Sequence, residues 1–170
     1  MEFFELVQKR KSIRAYRSDE IEDEKINKIL EVVNLAPSAG NLQAYKIYVV
    51  KNKQKISEIA KACFNQKFIS QAPVVMVFCA NPKESEKHYE KRGKELYSLQ
   101  DATIAATFAV LACYNLGLST CWVGAFDEDH LKSLLNTNLR PIAVLPIGYP
   151  KESPERRKRK SLKELAIFIQ

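Results

Sequence analysis

The most constraining feature of the chain is Ser98 to Leu116, where Ala102, Ala105, Ala106, Ala109 and Ala112 recur among large apolar residues. Read at 3.6 residues per turn, this segment is a helix that is apolar around most of its circumference. Such a helix lies at the centre of a core or in a subunit interface. Its small side chains permit close approach to a second copy of itself across a two-fold axis, and Gly117 follows as the helix-ending glycine. The chain of 170 residues is long enough for one domain, 1–170, to bury a sizeable core around this helix without metal or disulfide staples.

The other elements follow from periodicity. Ile26, Ile29, Leu30 and Val33 mark a helix that Pro37 closes, and Phe3, Phe4, Leu6 and Val7 mark a short one running toward Arg10. Tyr45–Val50 reads as a strand. Pro73–Ala80 is apolar on both faces, as a strand covered by helices on both sides would be, and Ile142–Tyr149 is another apolar strand. Asn52 and Asp127 precede helices as caps. Ser161 and Glu164 form a capping box that starts a C-terminal helix reaching Ile169, and Asn81–Gly93 is the most polar stretch, an exposed helix or lid. With too few strands for a repeated βαβ pattern, the class is α+β.

Several functions are excluded. The longest wholly apolar run is Val74–Ala80, far short of a membrane helix, and Glu2 and Glu5 interrupt any leader-like N-terminus. Cys63, Cys79, Cys113 and Cys121 stand singly in apolar segments, away from His88 and His130. They read as buried thiols of a cytoplasmic protein, with no metal site. No nucleophile elbow, P-loop or dinucleotide fingerprint occurs.

Charge is unevenly placed. Lys9–Arg17 holds five basic residues and no acid, and Lys151–Lys163 holds seven against Glu152 and Glu155. Each cluster contributes +5 to a chain of net charge +7, leaving −3 for the rest. Clusters of this kind suit an anionic partner, and Arg10, Ser12 and Arg14 together make a plausible phosphate clamp. A nucleic-acid role is disfavoured, because the runs are short, lack interleaved aromatics and match no reading module. The loop Ala36–Gln43 is either an ordinary turn or a surface that approaches a flat heteroaromatic ring.

Five motifs in order resemble the FMN-dependent nitroreductase family. Arg10-Lys11-Ser12-Ile13-Arg14 matches its opening segment, and Ala36, Pro37, Ser38, Asn41 and Gln43 match its Ala-Pro-Ser loop. Ala72-Pro73-Val74 matches the start of its middle strand, and Asp101 through Gly124 its long helix and following Trp-Val-Gly turn. Pro146–Pro150 with Arg157, Arg159 and Leu162 matches the close. Ala44-Tyr45 replaces the usual Pro-Trp, Ser119 a second glycine, and Ser161 a proline. The first of these bears on acceptor preference, because the loop lies near the flavin face in relatives.

The resemblance implies a nitroreductase-like fold, with a central mixed, mostly antiparallel sheet flanked by helices in an intertwined homodimer with shared active sites. Arg10, Lys11, Ser12, Arg14, Arg157 and Arg159 inherit the FMN phosphate. Pro37, Ser38, Asn41 and Gln43 inherit the ring and ribityl contacts across the subunit boundary, and Trp122, Val123 and Gly124 the ring edge. Asp101 is either a helix cap or a ligand. The implied activity is hydride transfer from NADH or NADPH onto flavin N5, then electron transfer to a small electron-poor acceptor such as a nitroaromatic or quinone, in ping-pong form. The flavin carries the chemistry, so no catalytic side chain is expected. The alternative is a flavin protein of the same fold with a specialised redox or regulatory role and little turnover.

Overall fold

The computed structural model describes residues 2–169. Four strands form the centre: β1 (Tyr45–Val50), β2 (Val74–Ala80), β3 (Ser119–Thr120) and β4 (Arg140–Gly148), in the spatial order β1-β2-β4-β3. Every pairing is antiparallel. Among the described residues the parallel component of the expected mixed sheet is therefore absent.

The sheet is covered on both faces. Val74, Met76 and Phe78 alternate along β2 with Val75, Val77 and Cys79, so one strand feeds two cores. The first set packs with α2 (Asp23–Asn34) and α5 (Ser98–Asn115), and the second with α3 (Lys53–Ala62) and α6 (Glu128–Leu135). All seven residues of β2 are buried, as a strand apolar on both faces demands. The two caps act as expected. Asn52 Oδ1 accepts from the Lys55 N–H and Asp127 Oδ1 from the His130 N–H, both at 2.9 Å.

Helix α5 departs from the sequence reading in one respect. Ala102, Ala105, Ala106 and Ala109 are wholly buried against the chain's own sheet. Their small size brings a helix close to a sheet, and a two-fold partner does not meet them. The outward stripe carries Ile104, Phe108 and Leu111, all partly exposed. The C-terminal helix also ends early. α7 is only Leu162–Leu165, with Glu164 Oε2 accepting from both the Ser161 N–H and Oγ–H at 2.8 Å. Beyond it Ala166 is extended, and Ile167–Ile169 touch no core. A short helix with nothing to pack against does not propagate.

Of the remaining elements, α1 (Phe3–Lys9) leads into the first basic cluster. α4 (Pro82–Arg92) runs through one wide π-helical turn, Gly93–Tyr97, directly into α5. The stretch Pro82–Asn115 is long and apolar enough to cross a bilayer by length and composition alone. Its break at Tyr89–Glu90 and the alanine face lying on the sheet are features of a core helix.

Candidate functional site

The two basic clusters meet at one corner of the sheet. The Ile13 N–H bonds the Thr120 carbonyl at 3.2 Å, Arg17 N–H the Tyr149 carbonyl at 2.9 Å, and Lys151 N–H the Ala15 carbonyl at 2.9 Å. Tyr16 is the anchor: it is buried, pairs with Pro150 as a β-bridge, and its hydroxyl donates to the Ile13 carbonyl at 2.6 Å. Burial pushes its phenol far above the ordinary tyrosine range. Gly148 lets the strands approach closely here, since a Cβ would stand 3.1 Å from both Tyr16 and Pro73 and press on them. This short ladder carries residues 10–14 against residues 152–159.

Between them lies a pocket of about 380 Å³ lined by Arg10, Lys11, Ser12 and Arg14 from one side, and by Arg156, Arg157, Lys158 and Arg159 from the other. The Arg14 N–H bonds Glu152 Oε1, and Arg156 Nη1 donates to the Gln8 carbonyl at 2.7 Å. Desolvation and the charges of Arg159 and Arg156 hold the Arg10 guanidinium below its usual range. So much like charge on one pocket wall is a cost that a bound dianion would offset. Beneath it, burial raises the Cys121 thiol while Arg14 and a hydrogen bond from Ser12 pull it the other way. Thr120 Oγ1, on the adjoining strand, is one of two buried side-chain polar atoms without a partner among the described residues.

Trp122 follows Cys121 and is 37% exposed, so it is not a core tryptophan. Val123 pairs with Val144 as an isolated bridge, and Gly124 sits 3.6 Å from the Trp122 indole nitrogen, measured from where a Cβ would stand. The Trp-Val-Gly turn thus lies beside the clamp on the β3 edge.

The loop Pro37–Gln43 is built differently. Gly40, Asn41 and Gln43 all take left-handed backbone, at φ 57°, 57° and 48°. Ser38 Oγ accepts from the Gln43 N–H at 3.0 Å, and Gln43 Nε2 donates to Asn41 Oδ1 at 2.9 Å. Underneath, the Asp101 carboxylate accepts from the Ala39 N–H at 3.0 Å and the Ala44 N–H at 3.4 Å. Asp101 is 2% exposed and stands inside the α5 helix. It braces the loop from within the helix, which corrects the cap reading.

A groove of about 580 Å³ opens beside the loop, lined by Pro37, Ser38, Tyr97, Leu99, Thr103 and Ile104 among others. Tyr89 lies over the loop. Its hydroxyl is 2.5 Å from where a Gly40 Cβ would stand, so a larger residue there would have to displace it as well as adopt left-handed backbone. The kink that delivers Tyr89 runs through Glu90 at φ 49° and ψ −137°. For a residue with a Cβ that conformation costs about 1–3 kcal/mol.

The clamp and the loop are at opposite corners. The loop enters β1 at Tyr45, whose row runs through Ala80 to Arg140, whereas Thr120 pairs with Ile147. Three strand spacings and seven residues separate them, roughly 25 Å.

Residues 2–168 match the family model described as "Putative TM nitroreductase". The chain belongs to the nitroreductase family. It is 31% identical over 160 residues to a protein of Archaeoglobus fulgidus named "Putative NADH dehydrogenase/NAD(P)H nitroreductase", covering 91% of this chain and 88% of the relative. It is 30% identical over 164 residues to an FMN reductase (NAD(P)H) of Bacillus subtilis, covering 88% and 66%. A nitroreductase family protein from Clostridium novyi NT superimposes with a TM-score of 0.82 at 37% identity, covering 92% and 89%. The FMN-dependent nitroreductase of Clostridium difficile R20291 does so at 0.82 and 25% identity, covering 99% of both chains.

Of the site residues expected from this family, Arg10, Lys11, Ser12, Arg14, Arg157 and Arg159 share one pocket. Pro37, Ser38, Asn41 and Gln43 share one hydrogen-bonded loop, away from that pocket. Sequence reasoning missed Glu152 at the clamp and Tyr89 at the loop. Glu152 was hidden as one of two acids in a basic run. Tyr89 was hidden in a charged helix whose kink has no sequence signature. Among the described residues no group of three or more His, Cys, Asp or Glu side chains is placed to hold a metal.

Proposed function

We propose that this nitroreductase-family protein is an NAD(P)H-dependent FMN oxidoreductase that passes electrons to a small electron-poor acceptor, in two half-reactions of ping-pong form. The observation that carries the reading is the convergence of Arg10, Ser12, Arg14, Arg157 and Arg159 on one pocket. Guanidinium forks and a hydroxyl match a phosphate monoester, and burial together with the charges of Arg159 and Arg156 holds the Arg10 guanidinium below its usual range. Bound FMN supplies the redox chemistry, accepting hydride from NADH or NADPH and releasing electrons to the acceptor.

The chain's own residues bind and orient. Arg10, Lys11, Ser12 and Arg14 hold the phosphate from one side, Arg157 and Arg159 from the other. Trp122, Val123 and Gly124 form the adjoining wall. Pro37, Ser38, Asn41 and Gln43 offer a small-residue surface with amide groups for the edges of a flat ring.

We further infer a homodimer in which the loop of one subunit completes the clamp of the other. The roughly 25 Å between the two corners supports it, as does the apolar surface left uncovered. Ile167, Phe168 and Ile169 are each more than nine-tenths exposed, and Phe4 and Leu162 about four-fifths. A second copy covering these and the Phe108–Leu111 part of the outward face of α5 would bury an obligate-sized interface, above roughly 2,000 Å² in total. The four free buried cysteines suit a reducing compartment such as the cytoplasm.

The test is flavin release on denaturation, together with sedimentation and flavin absorbance over a dilution series. One FMN per subunit, lost as the dimer dissociates, is the expected result. A protein that cannot be loaded with FMN overturns the reading, and a monomer that keeps its FMN and its rate of reduction by NAD(P)H overturns the shared site alone.

A further inference from the structure

We propose that Tyr97 and Arg92 form the charge-reading wall of the acceptor site, and that the favoured acceptor is a flat electron-poor aromatic ring bearing an anionic substituent. The proposal rests on the oxidoreductase reading and deepens it by naming the substrate class.

Four observations converge on it. The groove beside Pro37 and Ser38 is mostly apolar and is walled by Tyr97, Leu99 and Ile104. Its volume of about 580 Å³ suits a small aromatic molecule. Tyr89 and Tyr97 meet edge to face, with centroids 5.1 Å apart at 81°, so the Tyr97 ring is held in a set orientation. The face of a phenol ring is electron-rich, and an electron-poor ring stacks on it favourably.

Arg92 then supplies charge. Its Nε donates to the Tyr97 hydroxyl at 3.0 Å, and its guanidinium carbon lies 5.5 Å from that ring's centroid. The neighbouring cations are neutralised: Lys87 pairs with Glu84, Lys91 with Glu95 and Lys94 with Glu86. Among the described residues Arg92 has no carboxylate within 4 Å. One of its five N–H groups is spent on Tyr97, which leaves a fork able to take a carboxylate in bidentate fashion. Lys83 is likewise without an ion pair, but nothing ties it to the groove.

Two irregularities in the backbone bring these groups together. The kink at Tyr89–Glu90 lays Tyr89 on Gly40, and the π-helical turn Gly93–Tyr97 brings Arg92 and Tyr97, five residues apart, within hydrogen-bond reach. Strain kept in an otherwise regular helix marks a placement that the fold maintains against the local preference.

The test uses 4-nitrobenzoate and methyl 4-nitrobenzoate, which share a ring and a nitro group and differ in charge. Both are titrated calorimetrically against the oxidised holoprotein, and both are used as acceptors with NAD(P)H. The native protein is expected to bind the acid about tenfold more tightly than the ester, the low end for one charge-assisted contact at a partly open site. Arg92→Gln should abolish that ratio, Arg92→Lys should restore much of it, and Lys83→Gln should leave it alone. Added salt should shrink it in the native protein. Tyr97→Leu should weaken both probes, while Tyr97→Phe retains ester binding. Equal binding of acid and ester by the native protein, or a ratio that survives Arg92→Gln, overturns the proposal. Failure of NAD(P)H to reduce the bound flavin would instead overturn the oxidoreductase reading, and the calorimetric comparison would still decide the present one.

Discussion

The clamp corner and the loop corner are held by opposite means. At the clamp, cations crowd one another: Arg10 is shifted down by burial and then by Arg159 and Arg156, and the backbone there is tied by a short ladder between residues 13–17 and 149–151. At the loop, one buried carboxylate, Asp101, satisfies two backbone N–H groups beneath three residues in left-handed conformation. On the proposed reading, the clamp would trade folding stability for affinity, since its charges repel until an anion arrives. The loop would do the reverse, because much of its hydrogen bonding is satisfied within the chain. Substitutions at the first corner should therefore appear in binding and those at the second in stability.

The largest effect is expected at the loop. Asp101→Ala removes the acceptor from two backbone donors, Ala44 N–H in the buried interior and Ala39 N–H part-buried in the loop. It should cost about 3–4 kcal/mol, lowering the Tm by roughly 10 °C. Thermal unfolding of the flavin-free protein measures this. A loss below about 1 kcal/mol would mean that the carboxylate does not brace the loop.

Next comes the clamp. Arg14→Ala and Arg159→Ala should each weaken FMN binding by about 1.5–3 kcal/mol, whereas Lys151→Ala should change it little. The sharper half of the prediction concerns the flavin-free protein, where Arg159→Ala should leave the Tm level or raise it, since it removes repulsion on Arg10. Equal losses at all three positions would replace a built site with diffuse electrostatics.

Strain relief at the kink is a smaller effect. Glu90→Gly should stabilise the protein by about 1 kcal/mol, because glycine takes φ 49° without a Cβ clash. Chemical denaturation of native protein and variant gives the difference, and a destabilised variant would show that the Glu90 side chain has a role beyond its backbone. The least energetic test is optical. Trp122, the only tryptophan, should lose fluorescence as FMN fills the clamp. Unchanged emission would place the ring system away from the Trp-Val-Gly turn.

The comparison also shows which parts of the molecule can be read in advance. Elements whose evidence is local were legible: the all-apolar β2, the Asn52 and Asp127 caps, the left-handed Gly117 at φ 74°, and the polar α4. Residue type and spacing mark the Arg10–Arg14 segment as a basic cluster that lines a pocket, and its role as a phosphate clamp belongs to the proposed function. Family resemblance, rather than periodicity, joined it to Arg157 and Arg159.

Other features depend on distance in space. The alanines of α5 looked suited to a two-fold contact, yet they lie against the chain's own sheet, because pattern reveals an apolar face without naming what covers it. Asp101 looked like a cap or a ligand, and Glu152 like a stray acid. Their partners lie 57 to 138 positions away along the chain. The sequence alone determined the fold class, the basic character of the site and the apolar strands, since each depends on composition or on a period of two to four residues. Only the tertiary structure decided that clamp and loop occupy opposite corners, that Asp101 holds the loop, and that Tyr89 lies on Gly40. Those outcomes depend on strand order, register and one strained turn, which are settled when distant segments compete for the same buried surface.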